Sequence, residues 1–593
     1  MKRSNYKFIL ALFTVAVIIF ACSKSFLNIT PPASLNPGVL SNKVGVEGLL
    51  VGAYSYLDGE GVAGTSNGPW ATAASNWVYG SIPGGDAHKG SDPGDQNLIT
   101  PIETWAVNAT NDYLEDVWAA RFDGVQRCNE TIRLMRLATD MTPEDTTQVS
   151  AEARFLRGHY NFELKKLFGN VPWIDESVSY SAGNFLIPNT ADILPNIEAD
   201  FLYAYNNLPE DYTGDILTGE YARANKWAAA CYLAKTYIFE QKWADAKTLL
   251  TTIIASGRTS AGVKYGLLPH FADNFNPAKQ HDDALKTNSE SVFAAQMSVN
   301  DGSGAGNANA GDVLNFPYGG GPGTCCGFFQ PSFSLVNAYK VDANGLPFLD
   351  DSYNKSNLKN DQGVASNTPY TPDNTTPVDP RLDWTAGRRG IPYLDWGPMP
   401  GADWIRNQAN AGPYLPIKNV YYKSEEGVLT DNSSWTSGYT ANNVIIIRYA
   451  DVLLWAAEAE AEAGSLEAAR DYVNQVRGRA ADPAGFVQNS PANYKIGLYQ
   501  SFPDKTYAEK AIYFERKLEL AMEGHRFFDI SRWGIADHEM NDVIYPREVA
   551  SGYALDVGAH WTKSKNEYLP IPQAEIDRSS AQGQSALTQN AGY

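Results

Sequence analysis

IIIRYADVLLWAAEAEAEAGSLEAARDYVNQVRGRA, residues 445–480, reads as two helices joined by a tight turn at Gly464-Ser465. Tyr449, Val452, Leu453, Ala456 and Ala457 recur at the three-four spacing of one helical face, and Leu466, Ala469, Val473 and Val476 repeat the pattern in the second helix. Alanine fills much of both inner faces, so the two axes can approach closely. Glu467 and Asp471 flank Arg470 on the outside. A lone hairpin cannot cover its own apolar stripe, so the pattern predicts further hairpins packed alongside.

A second hairpin is predicted at Tyr221–Gln241 and Trp243–Ser256. Its Ala234, Tyr237, Trp243, Ala246, Leu250 and Ile253 fall at the spacings of small and large positions in tetratricopeptide repeats, and Gly464, Leu466, Ala469, Val473 and Val476 fill equivalent slots. Other helices are expected at Val46–Leu57, Asp112–Met135, Asp192–Asn207 and Ala508–Glu523. One more runs from Thr142 to Gly169, with Thr142-Pro143-Glu144-Asp145 as start signal and Gly169 as stop. Between them, Asp58 to about Pro101 and Gly257–Asn443 are rich in Asn, Gly, Pro and aromatics and read as long ordered loops, with strand-like pieces at Ser291–Met297 and Val444–Ile447. Loops this long in a compact protein usually carry function. The fold expected is mainly α. Tetratricopeptide-like helical hairpins, mainly within 112–256 and 445–534, would hold a large irregular, loop-rich ligand-binding face built from the insert at about 257–443.

The N-terminus reads as a processing segment. Lys2, Arg3 and Lys7 precede an apolar run from Phe8 to Ala21, too short to span a membrane comfortably, and the run ends at Ala21-Cys22. A small residue before a cysteine at that point is the pattern of a bacterial lipoprotein. Residues 1–21 are then a signal peptide, Cys22 the lipidated residue, 22–40 a tether with Pro31, Pro32 and Pro37, and 41–593 one folded unit. An ordinary secretory signal with a coincidental cysteine is the alternative.

The formal charge of −20 argues against nucleic acid as a partner. Cys128 and Cys231 lie in helical patterns and read as buried thiols. Cys325-Cys326 sit in the glycine-rich GGGPGTCCGFF, where a vicinal disulfide and two free thiols are equally open. No nucleophile elbow, H-E-x-x-H, phosphate loop or dinucleotide fingerprint occurs, and no pair of carboxylates stands out as a glycosidase dyad. Asp350–Asp361 fails the EF-hand pattern. No cofactor is expected, although oxygen-rich loops leave a structural Ca²⁺ open.

Five pieces in order carry a family resemblance: the lipoprotein start, AEARFLRGHYNFELKKLFGNVPWI (151–174), IRYADVLLWAAEAEAEAG (447–464), ERKLELAMEGHRFFDISRWG (515–534) and the tail LPIP-x-x-EI…LTQNAGY, with a weaker DPRLDW at 379–384. The chain resembles the SusD/RagB-like outer-membrane lipoproteins of the Bacteroidetes. The resemblance implies helical pairs on one side and an irregular ligand-binding face on the other; with no catalytic motif in the chain, no enzymatic activity is expected. It also implies a place on the cell exterior, where the protein captures oligosaccharides and caps a SusC-type TonB-dependent transporter. Capture of peptides or another nutrient, or a scaffold that binds only protein, are the alternatives.

A sugar presents an apolar face and a rim of hydroxyls, so a binding site needs flat aromatics with polar neighbours. The loop residues that fit are Trp77, Tyr79, Asp86, His88 and Lys89 in the first loop, then Trp105, and in the second region Tyr318, Phe328, Trp384, Arg388, Tyr393, Trp396 and Trp404. For any one of these aromatics the bland reading is a core residue. Glu515, Glu519 and Glu523 share one helical face. They read as an ion-pair network with Arg448, Arg477 and Arg157, not as catalytic groups, and His525 as a scaffold histidine.

Overall fold

The computed structural model describes residues 37–59, 67–179, 181–213, 222–280, 288–581 and 584–593. Ten helices carry the architecture: α1 (Lys43–Ser55), α2 (Asp112–Met135), α3 (Pro143–Phe168), α4 (Leu194–Asn207), α5 (Lys226–Phe239), α6 (Trp243–Ser256), α7 (Tyr449–Ala463), α8 (Leu466–Ala480), α9 (Lys505–Glu519) and α10 (Arg526–Arg532). From α1 to α8 each packs on the helix before it, and α9 closes on α7 and α8. The turn at Gly464-Ser465 is where the alternation of apolar residues places it. Ser465 caps α8 by accepting from the Ala468 N–H, while its own N–H donates to Glu460 Oε2 at 2.9 Å. Thr142 and Asp145 form the reciprocal capping box that opens α3.

The two hairpins separated by the insert meet directly. α6 lies against α7, and Lys247 Nζ donates to Ala463 O at 2.9 Å. Covered from several sides, α7 is buried continuously from Tyr449 to Ala459, where an amphipathic stripe had been expected. The strand-like pieces pair with each other: β2 (Ser291–Ala295), within the insert, runs antiparallel to β4 (Val444–Arg448), which follows it. Phe293 of β2 docks onto the helices, its ring 4.9 Å from Phe155, which also meets Phe201 and Tyr232. A second antiparallel pair, β1 (Ala87–Gly90) with β3 (Phe328–Pro331), ties the first loop to the insert.

At the centre lies a charged network. Glu519 accepts from Arg448 Nη1 (2.6 Å), Arg381 Nη1 (2.9 Å) and Arg479, and Glu515 accepts from Arg381 and Arg477, both at 2.7 Å. Glu523 accepts from Arg448 Nε (2.8 Å) and Lys418 Nζ (2.6 Å), Glu290 from Arg448 and Arg479, and Asp379 binds Arg381 with both oxygens. Burial alone would raise the Glu519 carboxyl, but Arg479, Arg448 and Arg381 hold it well below the usual carboxylate range. Arg157 lies outside this network, against the sequence reading. It sits on α3, far along the helix stack, and pairs with Asp200 and Glu176. His525 lies largely covered beside Asp451, and desolvation lowers its imidazole to about 3, which keeps it neutral.

Candidate ligand-binding site

The insert carries a small apolar core of its own, in which Phe316, Tyr393, Met399, Ile405, Leu415, Ile417, Val420 and Tyr421 are buried together. Three segments lie against one another beside it: residues 319–327, the turn Ala402–Trp404, and residues 435–439. In the first, residues 319–327, the close approach to Trp404 requires glycine: a Cβ on Gly320 would stand 2.8 Å from the indole Nε1, and one on Gly321 2.9 Å from the ring. Trp404 meets Tyr393 edge-on at 5.6 Å, and its carbonyl accepts from the Tyr318 N–H at 2.9 Å. The third segment, 435–439, reaches the first where Thr436 hydroxyl donates to Gly323 O, and the Gly323 N–H donates to Tyr421 Oη at 2.7 Å. Within the glycine segment the Cys325 and Cys326 sulfurs lie against each other, as a vicinal disulfide would place them. Cys128 and Cys231 are buried free thiols.

This arrangement turns aromatic rings outward. Tyr318 is 43% exposed and Trp435 57%, while Trp396 and Trp404 are half-buried. Polar groups stand beside them. The Arg406 guanidinium lies 4.9 Å over the Tyr318 ring and bonds Ser91, Asp92 and Asp95, and Lys423 lies 5.7 Å over Trp396. Flat rings with fixed donors and acceptors at their edges suit a ligand that has an apolar face and a hydroxyl rim. Sequence reasoning passed over Trp435 and Arg406. A lone Trp in the polar run DNSSWTSGYT, next to turn-forming residues, is the signal that marks the first. Arg406 has no such mark, because Asp92 and Asp95 reach it from far along the chain.

Most of the other sequence candidates are interior, and this corrects their reading as ligand contacts. Trp77 is fully buried and donates from Nε1 to Gly311 O (3.0 Å), and Tyr79 hydroxyl donates to Ala71 O and Tyr113 O. Asp86 accepts from the Met522 N–H, and burial raises its carboxyl to about 6. Lys89 donates to Asp92 O and Asp95 O, and Trp105 to Pro83 O. Phe328 lies in β3 against Trp77, Arg388 is locked onto Asp383, and Tyr393 is in the small core. Residues 77–90 run between α2 and the insert, with Tyr79 bonded to Tyr113 O on one side and β1 paired with β3 on the other, and the remaining interior candidates are covered by their own partners. Trp384 lies apart from the exposed rings, in a separate cavity. Cys22 lies outside the described residues. Among the described residues no group of His, Cys, Asp and Glu is placed to hold a metal ion, and no helix is long and apolar enough to cross a membrane.

His88 stacks on Tyr553 at 3.5 Å between Glu103 (3.1 Å) and Glu548 (2.9 Å). Burial alone would pull its imidazole down, but hydrogen bonds to the two carboxylates push it up to about 10. A raised histidine stabilises fully below its unfolded value of about 6.5 and loses that contribution as pH climbs through the folded value. The denaturant midpoint is therefore expected to fall between pH 7 and 10 in the native protein, and to fall less in His88→Gln. Equal slopes in both would exclude His88 as the cause.

Comparison with known proteins agrees with this architecture. Residues 289–593 match the family described as SusD family, and residues 79–238 match the one described as starch-binding associating with outer membrane. The chain is 26% identical over 599 residues to SusD-like protein P25 of Formosa agariphila, an alignment that covers 97% of this chain and 98% of that one. Among solved structures it resembles a laminarin binding SusD-like protein (TM-score 0.63, 21% identity, 93% and 100% covered). It also resembles surface glycan-binding protein A from Bacteroides thetaiotaomicron in complex with laminarihexaose (TM-score 0.62, 22% identity, 92% and 98% covered).

Proposed function

The chain belongs to the SusD family, and from that premise we propose that it is a glycan-binding protein of the cell exterior. It is held in the outer membrane by lipid on Cys22 and passes captured oligosaccharides to a SusC-like TonB-dependent transporter. The activity is binding, with no bond made or broken. The observation that carries this reading is the outward-facing set of Tyr318, Trp404 and Trp435 on loops braced by their own small core, with Arg406, Asp92 and Asp95 at its edge. Two structural relatives are described by the glucans they bind, laminarin and laminarihexaose, which supports a glycan as the ligand class. Of the residues first selected from sequence, Tyr318, Trp396 and Trp404 remain as contacts, joined by Trp435 and Arg406. Recognition then works by stacking on the rings and hydrogen bonding at their edges.

Titration calorimetry against a panel of oligosaccharides tests this. Trp404→Ala with Trp435→Ala is expected to weaken binding about tenfold or more, the equivalent of about 1.4 kcal/mol or more, while the helical content stays native because Trp435 is exposed and Trp404 packs on the insert's small core rather than the main one. A protein silent toward every glycan and tight toward peptides would sink the glycan reading.

A further inference from the structure

We propose that the cavity around Trp384 is a second saccharide-binding site, separate from the exposed rings. Its volume of about 420 Å³ falls within the range of small-molecule sites, about 300–1,000 Å³. Trp384, Phe486 and Tyr422 supply aromatic walls, and His270, Asp273 and Asn489 supply polar ones. The chemistry of the lining narrows the occupant. Three aromatic rings favour a ligand with a flat apolar face, the carboxylate of Asp273 disfavours an anion, and the spread of donors and acceptors disfavours a plain hydrocarbon. A neutral carbohydrate ring meets all three conditions.

The aromatic walls are set before any ligand arrives. Trp384 ends the short 3₁₀ helix Pro380–Trp384, whose Arg381 is locked into the buried network. Its own Nε1 donates to Gly485 O at 2.8 Å, which fixes the indole. The neighbouring Asp383 is held by Arg388 and by the Tyr494 hydroxyl, and Phe486 packs edge-on against that same Tyr494 at 5.4 Å. Two rings are thus clamped to one buried cluster, so little ordering entropy remains to be lost on binding. The polar wall remains open. Asn489 stands exposed at the rim, and the His270 and Asp273 side chains, 3.5 Å apart, remain partly exposed to the cavity.

The cavity and the exposed rings share a wall. Tyr393 and Tyr421 point into the small core of the insert, while their sequence neighbours Leu394 and Tyr422 line the cavity. The inference rests on the saccharide reading above, but not on which residues of the exposed face are used.

The test is calorimetry of the native protein with laminarihexaose and with maltohexaose, beside Trp404→Ala/Trp435→Ala, Ala484→Trp and the combined variant. Ala484 is exposed at the mouth of the cavity, where an indole would obstruct entry without disturbing the interior. The exposed-face variant is expected to keep a weaker binding event, and Ala484→Trp added to it should weaken that event at least about tenfold without a further shift of the unfolding midpoint. An exposed-face variant silent toward a glycan that the native protein binds would overturn the second site and leave the proposed function standing. So would residual binding indifferent to Ala484→Trp. Absence of binding by the native protein to both hexasaccharides would count against both.

Discussion

Glu519→Ala is expected to lower stability by about 3–5 kcal/mol, because it leaves buried guanidiniums facing one another without their shared carboxylate. Arg448, Arg479 and Arg381 all donate to Glu519, and none of the four is more than 9% exposed. Replacing a whole buried network by apolar groups is often neutral, but removing one partner is not, since the rest can neither be rehydrated nor move apart. The comparison is Lys505→Ala. Lys505 pairs with Glu462 at the surface with its side chain half exposed, and such pairs contribute about 0–1 kcal/mol. Urea titration of both variants separates the cases, and equal midpoints would show that the centre does not depend on its charges.

Gly80→Ala should be nearly as damaging, for a reason that no contact of the native side chain reveals. A Cβ at Gly80 would stand 1.9 Å from the carbonyl oxygen of Gly524. The obstacle is backbone, and Gly524 is itself held at φ +76 with its N–H donating to the Ser81 hydroxyl. Overpacking typically costs about 1–3 kcal/mol where side chains can yield. Here they cannot, so the loss is expected at or above the top of that range. Gly48→Ala is the control of opposite sign. Gly48 lies exposed within α1 with nothing within 4 Å of a new Cβ, and alanine there should gain about 0.8–1 kcal/mol from helix propensity. Thermal unfolding that moves the same way in both would refute the steric account.

The helical part of the fold was legible because its signals are local. Apolar spacing, Thr142-Pro143-Glu144-Asp145 and Gly464-Ser465 each act within a few residues, and the helices start and stop close to where those signals place them. The pairing of β2 with β4 was half legible: both pieces read as strands, and their partnership did not. The binding face was least legible. Trp77 and Trp404 both sit among glycines, asparagines and polar residues, yet one is fully buried and the other half-open. What separates them is which distant segment covers them, Gly311 for the first and a pair of glycines on one side for the second. Composition cannot report that. The family resemblance supplied the overall plan but not the residues that face outward.

The placing of residues 77–90 between the helices and the insert has a consequence for the order in which the molecule can assemble. β1 needs β3, Gly80 needs Gly524, and the side-chain amide of Asn590 closes on Phe168 O and Leu569 O. Contacts between neighbours in sequence, as in α2 to α6, can form early, whereas closures across hundreds of residues come late. The central network is the extreme case, since Glu290, Arg381, Arg448 and Glu519 arrive from four separate segments. An incomplete chain therefore carries finished hairpins beside an open, charged and apolar interior, which is the state most prone to misassembly. Commitment to the native state waits on the last part of the polypeptide, and the rigidity that presents the binding loops is acquired in that final step.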